Sequence, residues 1–161
     1  TWTDSRTKEG LTIILSGALE IEDYANDTAE LTEDELVEPV NPIQINLHRD
    51  DFHNALDLIL QNAEEHGFTD DQQWLLKLTL DTHSEAGVAI LSISNNGKPF
   101  PHGVNKDVYT ARGKTTGEGN HSGIGGSRVK QIVEHAKGSL DVINEPNSDF
   151  PVTIVLKIPT C

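Results

Sequence analysis

Three groups of residues stand out by type and spacing. Asn62 and His66 are four apart, so on a helix they share one face. An Asn offers a carbonyl oxygen to a hard cation such as Mg²⁺, which keeps waters and substrate phosphates in its other positions. The second group is Asn95-Asn96-Gly97, within the stretch SISNNGKPFP at residues 92–101. An amide at a strand end can meet a ligand where the chain turns, and a glycine there leaves room for a flat ring. The third is the run 113–138, which opens rich in Gly, Thr and Ser and becomes a helix with Val129, Ile132, Val133 and Ala136 at helical spacing. Glycines let the backbone approach closely, and exposed N–H groups at a helix start, with the helix dipole behind them, suit phosphate. Taken singly, each group has an ordinary explanation: a surface Asn with a His favoured at a helix C-terminus, an Asn-Gly turn, a loop before a helix. Their order along the chain carries more.

The elements that must position these groups follow from periodicity. Ile43, Ile45 and Leu47 alternate with Gln44, Asn46 and His48, which predicts a half-buried strand. Asp50 or Asp51 is expected to cap a helix running to about His66. Phe52, Ala55, Leu56, Ile59, Leu60 and Ala63 form its apolar face, and Gly67 ends it. Leu76, Leu78 and Leu80 alternate with Lys77, Thr79 and Asp81, and residues 88–94 read as the next strand, after a turn over 82–87. Residues 95–126 read as one long loop, of a length usually tied to function or disorder. A helix over about 127–136, ended at Gly138, precedes strands 139–144 and 152–158, joined by a turn at 145–149. The order β-α-β-β-loop-α-β-β predicts an α+β fold, a two-layer α/β sandwich with its helices on one face of the sheet.

Residues 1–40 are expected to be an acidic connecting segment, partly ordered, ahead of a folded domain over 41–161. From Glu9 to His48 there is no Lys or Arg. Leu11, Ile14, Leu15, Ala18 and Leu19 fit one helix face, residues 11–15 fit a strand equally, and Gly10 and Gly17 weigh against the helix. Thr32 and Glu35 form a capping box. A formal charge of −14, from 26 acids against 12 Lys plus Arg, argues against a nucleic-acid partner, since no basic stripe can displace counterions. No apolar run approaches the ~20 residues of a membrane helix, so no membrane contact is expected within the chain. The single cysteine, Cys161, allows no internal disulfide, and the cytosol is the expected compartment. Because the chain starts at Thr1 rather than Met, it reads as a piece of something larger, with any sensor or membrane span outside it.

Asn62-Ala63 on a helix, Asn95-Asn96-Gly97 after a strand and Gly123-Ile124-Gly125 before a helix follow the order and spacing of the GHKL ATP-binding superfamily. Within it, residues 43–158 resemble the catalytic domain of sensor histidine kinases. The resemblance implies a Bergerat-type ATP-binding fold, with a mixed sheet, helices on one face, a mobile ATP lid, and ATP and Mg²⁺ as ligands. It implies that Asn62 is a Mg²⁺ ligand and that His66 contacts the base or ribose. It puts Asn95 where the family accepts from the adenine amino group, with Gly97 under the ring. Residues 105–122 take the place of the lid, in which Tyr109, Arg112, Lys114, Thr115 and Thr116 would close over phosphate. Ser122, Gly123, Ile124, Gly125 and Gly126 take the place of the glycine box at the head of the second helix.

Four positions depart from the family pattern. Leu58 stands four before Asn62, where Glu, Asp or Asn is usual; the adjacent Asp57 points roughly 140° away from Asn62 on the helix. Glu65 stands three after Asn62, where Lys or Arg often helps bind phosphate. Asn95 replaces an Asp while keeping a carbonyl acceptor. His121 replaces a glycine. None of the seven His residues lies in a phosphoacceptor context. The expected function is therefore a protein histidine kinase catalytic domain that passes the γ-phosphoryl of ATP to a His outside this chain. Its expected partners are a dimerisation and phosphoacceptor domain and a response regulator, in the cytoplasm or on the cytoplasmic part of a membrane-bound sensor. The alternative is a nucleotide-binding switch or pseudokinase that binds ATP to order its lid and engage a partner. Leu58 and Glu65 favour the switch; Arg112 and Lys114 favour the kinase. A water-activating ATPase of the gyrase or chaperone type is disfavoured, because it needs a carboxylate base in register.

Overall fold

A computed structural model describes residues 11–17 (as backbone), 44–82, 84–111 and 125–161. The elements run β1 (Leu11–Gly17), α1 (Arg49–His66), β2 (Trp74–Asp81), β3 (Val88–Asn95), α2 (Lys106–Tyr109), α3 (Gly125–His135), β4 (Ser139–Asn144) and β5 (Val152–Pro159). They form a five-stranded sheet in the order β1-β2-β3-β5-β4. β1 lies parallel to β2, and the other neighbouring pairs are antiparallel. The expected mixed-sheet α+β sandwich is what forms.

The core is where the two periodicities meet. α1 buries Ala55, Leu56, Ile59, Leu60 and Ala63, and α3 buries Val129, Ile132 and Val133. These helix faces share one cluster with the inward rows of the strands: Leu76 and Leu78, Leu91 and Ile93, Leu140, Ile154 and Leu156. In β3 every second residue is buried, so Asn95 continues the row of Ala89, Leu91 and Ile93. Asn95 pairs with Leu76 on one side and Val152 on the other, and Val152 pairs in turn with Asn144. At this end of the sheet, two apolar rows finish in asparagines.

Several local expectations are revised. Residues 44–48 make no strand: an isolated bridge joins Ile45 to Thr160, and the Cys161 N–H donates to the Gln44 carbonyl at 2.8 Å. Alternation supplied one face but no continuous ladder partner. The place beside β2 is taken by β1, inside the segment expected to be a connector, and of the two readings for 11–15 the strand holds. α1 is capped by His48, whose Nδ1 accepts from the Asp50 N–H at 3.2 Å. Asp50 and Asp51 fall in the first turn instead, where the helix dipole favours acids. Ile43 and the Thr32–Glu35 capping box lie outside the described residues. No described helix is long and apolar enough to cross a membrane.

The end of α3 also differs from expectation. Lys137, not Gly138, takes the left-handed conformation, with φ 60°. The Gly138 N–H then reaches back to the Val133 carbonyl at 2.9 Å, which closes the helix. Gly138 is required for another reason, since a Cβ there would stand 2.3 Å from the Lys157 carbonyl oxygen. Lys137→Gly is therefore expected to stabilise the protein by about 1 kcal/mol, by removing the left-handed penalty. Gly138→Ala is expected to destabilise by about 1–3 kcal/mol, because strand backbone cannot step aside cheaply. Thermal denaturation of the two variants, with melting temperatures moving in opposite directions, checks the pair.

Candidate functional site

Asn62 and His66, one turn apart near the end of α1, open onto one cleft. Ala63 and Gly67 join them on the helix side, Asn95 and Val152 come from the sheet, and Lys98, Pro99, Phe100 and Pro101 form a wall. Backbone brings these parts together. The N–H groups of Gly67 and Phe68 both donate to the Ala63 carbonyl at 2.8 Å, which ends the helix, and the Gly67 carbonyl accepts from the Lys98 N–H at 2.8 Å. Gly97 is buried, and a Cβ on it would stand 2.6 Å from the Gly67 carbonyl carbon. The glycine at 97 is thus demanded by Gly67, and Gly97 does not line the cleft.

The paired asparagines divide their work. Asn95, 6% exposed, uses Oδ1 to accept from the Gly97 N–H at 3.0 Å. A carbonyl oxygen has two lone pairs, so one acceptor position is left for a ligand. Asn96 turns to β2: its Oδ1 accepts from the Leu75 N–H and its Nδ2 donates to the Gln73 carbonyl, both at 2.8 Å.

The wall is held from behind. The Phe100 N–H donates to Asn144 Oδ1, and Asn144 Nδ2 donates to the Phe100 carbonyl, both at 3.0 Å. The Phe100 ring lies 5.8 Å from that of Tyr109, tilted by 48°. Tyr109 ends α2, a short helix within the loop expected over 95–126, capped by Asn105 Oδ1 accepting from the Val108 N–H at 3.1 Å. Thr110 is buried beside it and donates its hydroxyl to the Lys106 carbonyl at 2.8 Å. Residues 105–111 are therefore docked against Phe100 in this structure. Tyr109, expected over phosphate, packs on Phe100, and burial pushes its phenol well above the ordinary range. Its carbonyl fills the space where Gly126 has no side chain: a Cβ there would come within 1.9 Å. Among the described residues, a Cβ on Gly125 would meet nothing within 4 Å.

Of the residues expected at the site, Asn62, His66 and Asn95 line one cleft; Gly97, Tyr109, Gly125 and Gly126 do not. Arg112, Lys114, Thr115, Thr116, Ser122, Gly123 and Ile124 lie outside the described residues. Leu58 packs against the core cluster. Glu65 accepts from Gln61 Nε2 at 2.9 Å and lies 3.9 Å from His66 Nε2, outside the lining. Sequence reasoning missed Lys98, Pro99, Phe100, Pro101, Val152 and Asn144. For the wall there was a signal, an aromatic bracketed by two prolines, which makes a stiff segment. Val152 and Asn144 had none, because strand register alone brings them in. Among the described residues no group of three His, Cys, Asp or Glu could hold a metal ion.

Residues 48–160 match the family model for histidine kinase-, DNA gyrase B-, and HSP90-like ATPases. The chain belongs to this ATPase family. No curated protein matches it. Among solved structures, it is similar to the mycobacterial sensor histidine kinase MprB, with a TM-score of 0.68 and 18% identity over 98% of this chain and 86% of that one. The nucleotide-free catalytic domain of histidine kinase ThkA has a TM-score of 0.64 and 16% identity, covering 93% and 80%. The ATP binding domain of PrrB from Mycobacterium tuberculosis has a TM-score of 0.62 and 18% identity, covering 98% and 86%. At such identities the likeness is one of fold.

In this ATPase-family chain the two adjacent glycines of α3 should respond differently to one methyl group. Gly126→Ala is expected to cost about 1–3 kcal/mol by overpacking on Tyr109. Gly125→Ala, which meets none of the described residues, should stay within about 0.5 kcal/mol of the parent. Calorimetric melting of both variants tests this, and equal losses would show that α3 is not seated on Tyr109.

Proposed function

We propose that this chain is the ATP-binding catalytic domain of a two-component sensor histidine kinase, and that it passes the ATP γ-phosphoryl to a histidine outside the chain. One observation carries the reading: Asn62, His66 and Asn95, from a helix and a strand far apart in sequence, line one cleft in a chain of this ATPase family. Asn95 accepts from the adenine amino group with the lone pair that Gly97 leaves, and His66 contacts base or ribose. Asn62 holds Mg²⁺ through its amide oxygen, the donor type that a hard, largely hydrated cation prefers. When bound, Mg²⁺ supplies positive charge to the phosphate oxygens. Ser122, Gly123, Ile124, Gly125 and Gly126 offer backbone N–H groups at the head of α3, and Arg112, Lys114, Thr115 and Thr116 lie against the phosphates. Residues 41–161 form the catalytic domain together with β1, which completes its sheet, and a dimerisation and phosphoacceptor domain outside the chain is its partner. A response regulator is the downstream partner, and the cytoplasm is the compartment.

A second reading, a nucleotide-binding switch or pseudokinase, is favoured by Leu58. It packs on the core, so the position four before Asn62 offers no oxygen to a metal shell. Phosphoryl transfer to a supplied acceptor domain separates the two. Measurable transfer supports the kinase, and tight nucleotide binding without transfer supports the switch.

Two binding measurements test the assignments. Asn95→Ala is expected to weaken ATP binding by about 1–3 kcal/mol, the cost of an unpaired donor in a largely dry cleft. The parent protein should prefer ATP to GTP, which presents a carbonyl at that position; equal affinities would remove the role given to Asn95. Asn62→Ala should reduce affinity for ATP with Mg²⁺ far more than for ATP in excess chelator. If both fall alike, Asn62 is a structural amide and not a metal ligand.

A further inference from the structure

We propose that Asn144 is a positioning residue that joins the cleft to the head of α3, the base and phosphate sides of the proposed nucleotide site. It holds the Phe100 wall and, through Tyr109, the head of α3, so that the two parts move as one piece. The inference rests on reading the cleft as a nucleotide site.

Asn144 ends β4, in register with Val152 and so one strand removed from Asn95. It does not line the cleft. Both halves of its amide are spent on one residue, accepting from the Phe100 N–H and donating to the Phe100 carbonyl at 3.0 Å each. Pro99 and Pro101 have no N–H, so Phe100 carries the sole backbone donor of residues 99–101. Asn144 thus binds residues 99–101 at the one residue that offers both a backbone donor and an acceptor. The Phe100 ring rests against Tyr109, whose own carbonyl occupies the space left by Gly126. Close-packed groups do not yield independently, so a displacement of Phe100 must be passed to Tyr109 and then to the first turn of α3. That turn is where the anion-binding N–H groups begin. Alanine at 144 loses both contacts. Aspartate keeps the acceptor but loses the donor and sets a charge against the Phe100 carbonyl.

The test is the affinity of the whole chain for adenosine and for Mg-ATP, by calorimetry, in the parent, Asn144→Ala, Tyr109→Leu and the double variant. A clamp that only holds the fold would lower the melting temperature and affect both ligands alike. The proposal expects Asn144→Ala to lose roughly three- to thirtyfold more affinity for ATP than for adenosine. Tyr109→Leu should do the same, and the double variant should lose little beyond the worse single, because both break one chain of contacts. Asn144→Asp, which keeps the Phe100 N–H contact, takes the place of the alanine variant should that one fail to fold, with the same direction expected. Equal losses for the two ligands, or additive losses in the double variant, would overturn the proposal and leave the nucleotide reading standing. A parent chain that binds neither ligand would overturn the nucleotide reading, and this inference with it.

Discussion

The site depends on the contact between two peptides, at Gly67 and Gly97. One ends α1, the other follows β3, and neither has a side chain to hold them apart. A Cβ on Gly97 would overlap the Gly67 carbonyl, which shows how little space separates them. The hydrogen bond from the Lys98 N–H to Gly67 contributes only about 0.5–1.5 kcal/mol net. Its importance is geometric. It brings the helix turn bearing Asn62 and His66 to the strand end bearing Asn95, and it aims the following Pro-Phe-Pro segment along the cleft. Sterics therefore set the width of the site, and the hydrogen bond sets its register.

The sheet supplies the other half of the arrangement. Buried rows of Leu, Ile and Val stabilise it by about 1.5–3 kcal/mol per fully buried side chain, so the last residue of a row need not be apolar. Asn95 and Asn144 stand at such ends. Burying an amide is costly unless it is bonded, and here the Gly97 N–H donates to the Asn95 oxygen while Phe100 exchanges two bonds with half-buried Asn144. The two asparagines flank Val152 in one cross-strand row, so the sheet itself fixes the spacing between the cleft and the support behind its wall.

Charge frames how a polyphosphate would approach. A chain of net charge −14 repels such a ligand at a distance, so local cations must create the attraction. Lys98 provides one on the cleft wall. Glu65, placed by sequence spacing beside Asn62, is held along the helix by Gln61 and sits by His66 outside the lining. Leu58 belongs to the margin of the core.

What the sequence determined by itself was whatever repeats locally. The 3.6-residue period placed α1 and α3, the two-residue period placed β2, and the four-residue step put Asn62 and His66 on one face. These follow from geometry within a single segment. Tertiary structure decided the rest. Residues 43–48 alternate like a strand, yet β1 takes the sheet edge, because a strand needs a partner as well as a pattern. α2 was hidden in a polar loop, since its stability comes from docking Tyr109 and Thr110 rather than from an apolar stripe. Gly97, Gly126 and Gly138 read as turn, phosphate-loop and helix-stop residues, and each proved to be the place where another backbone presses close. A glycine's role depends on what fills its missing side chain's space, and that neighbour comes from elsewhere in the chain.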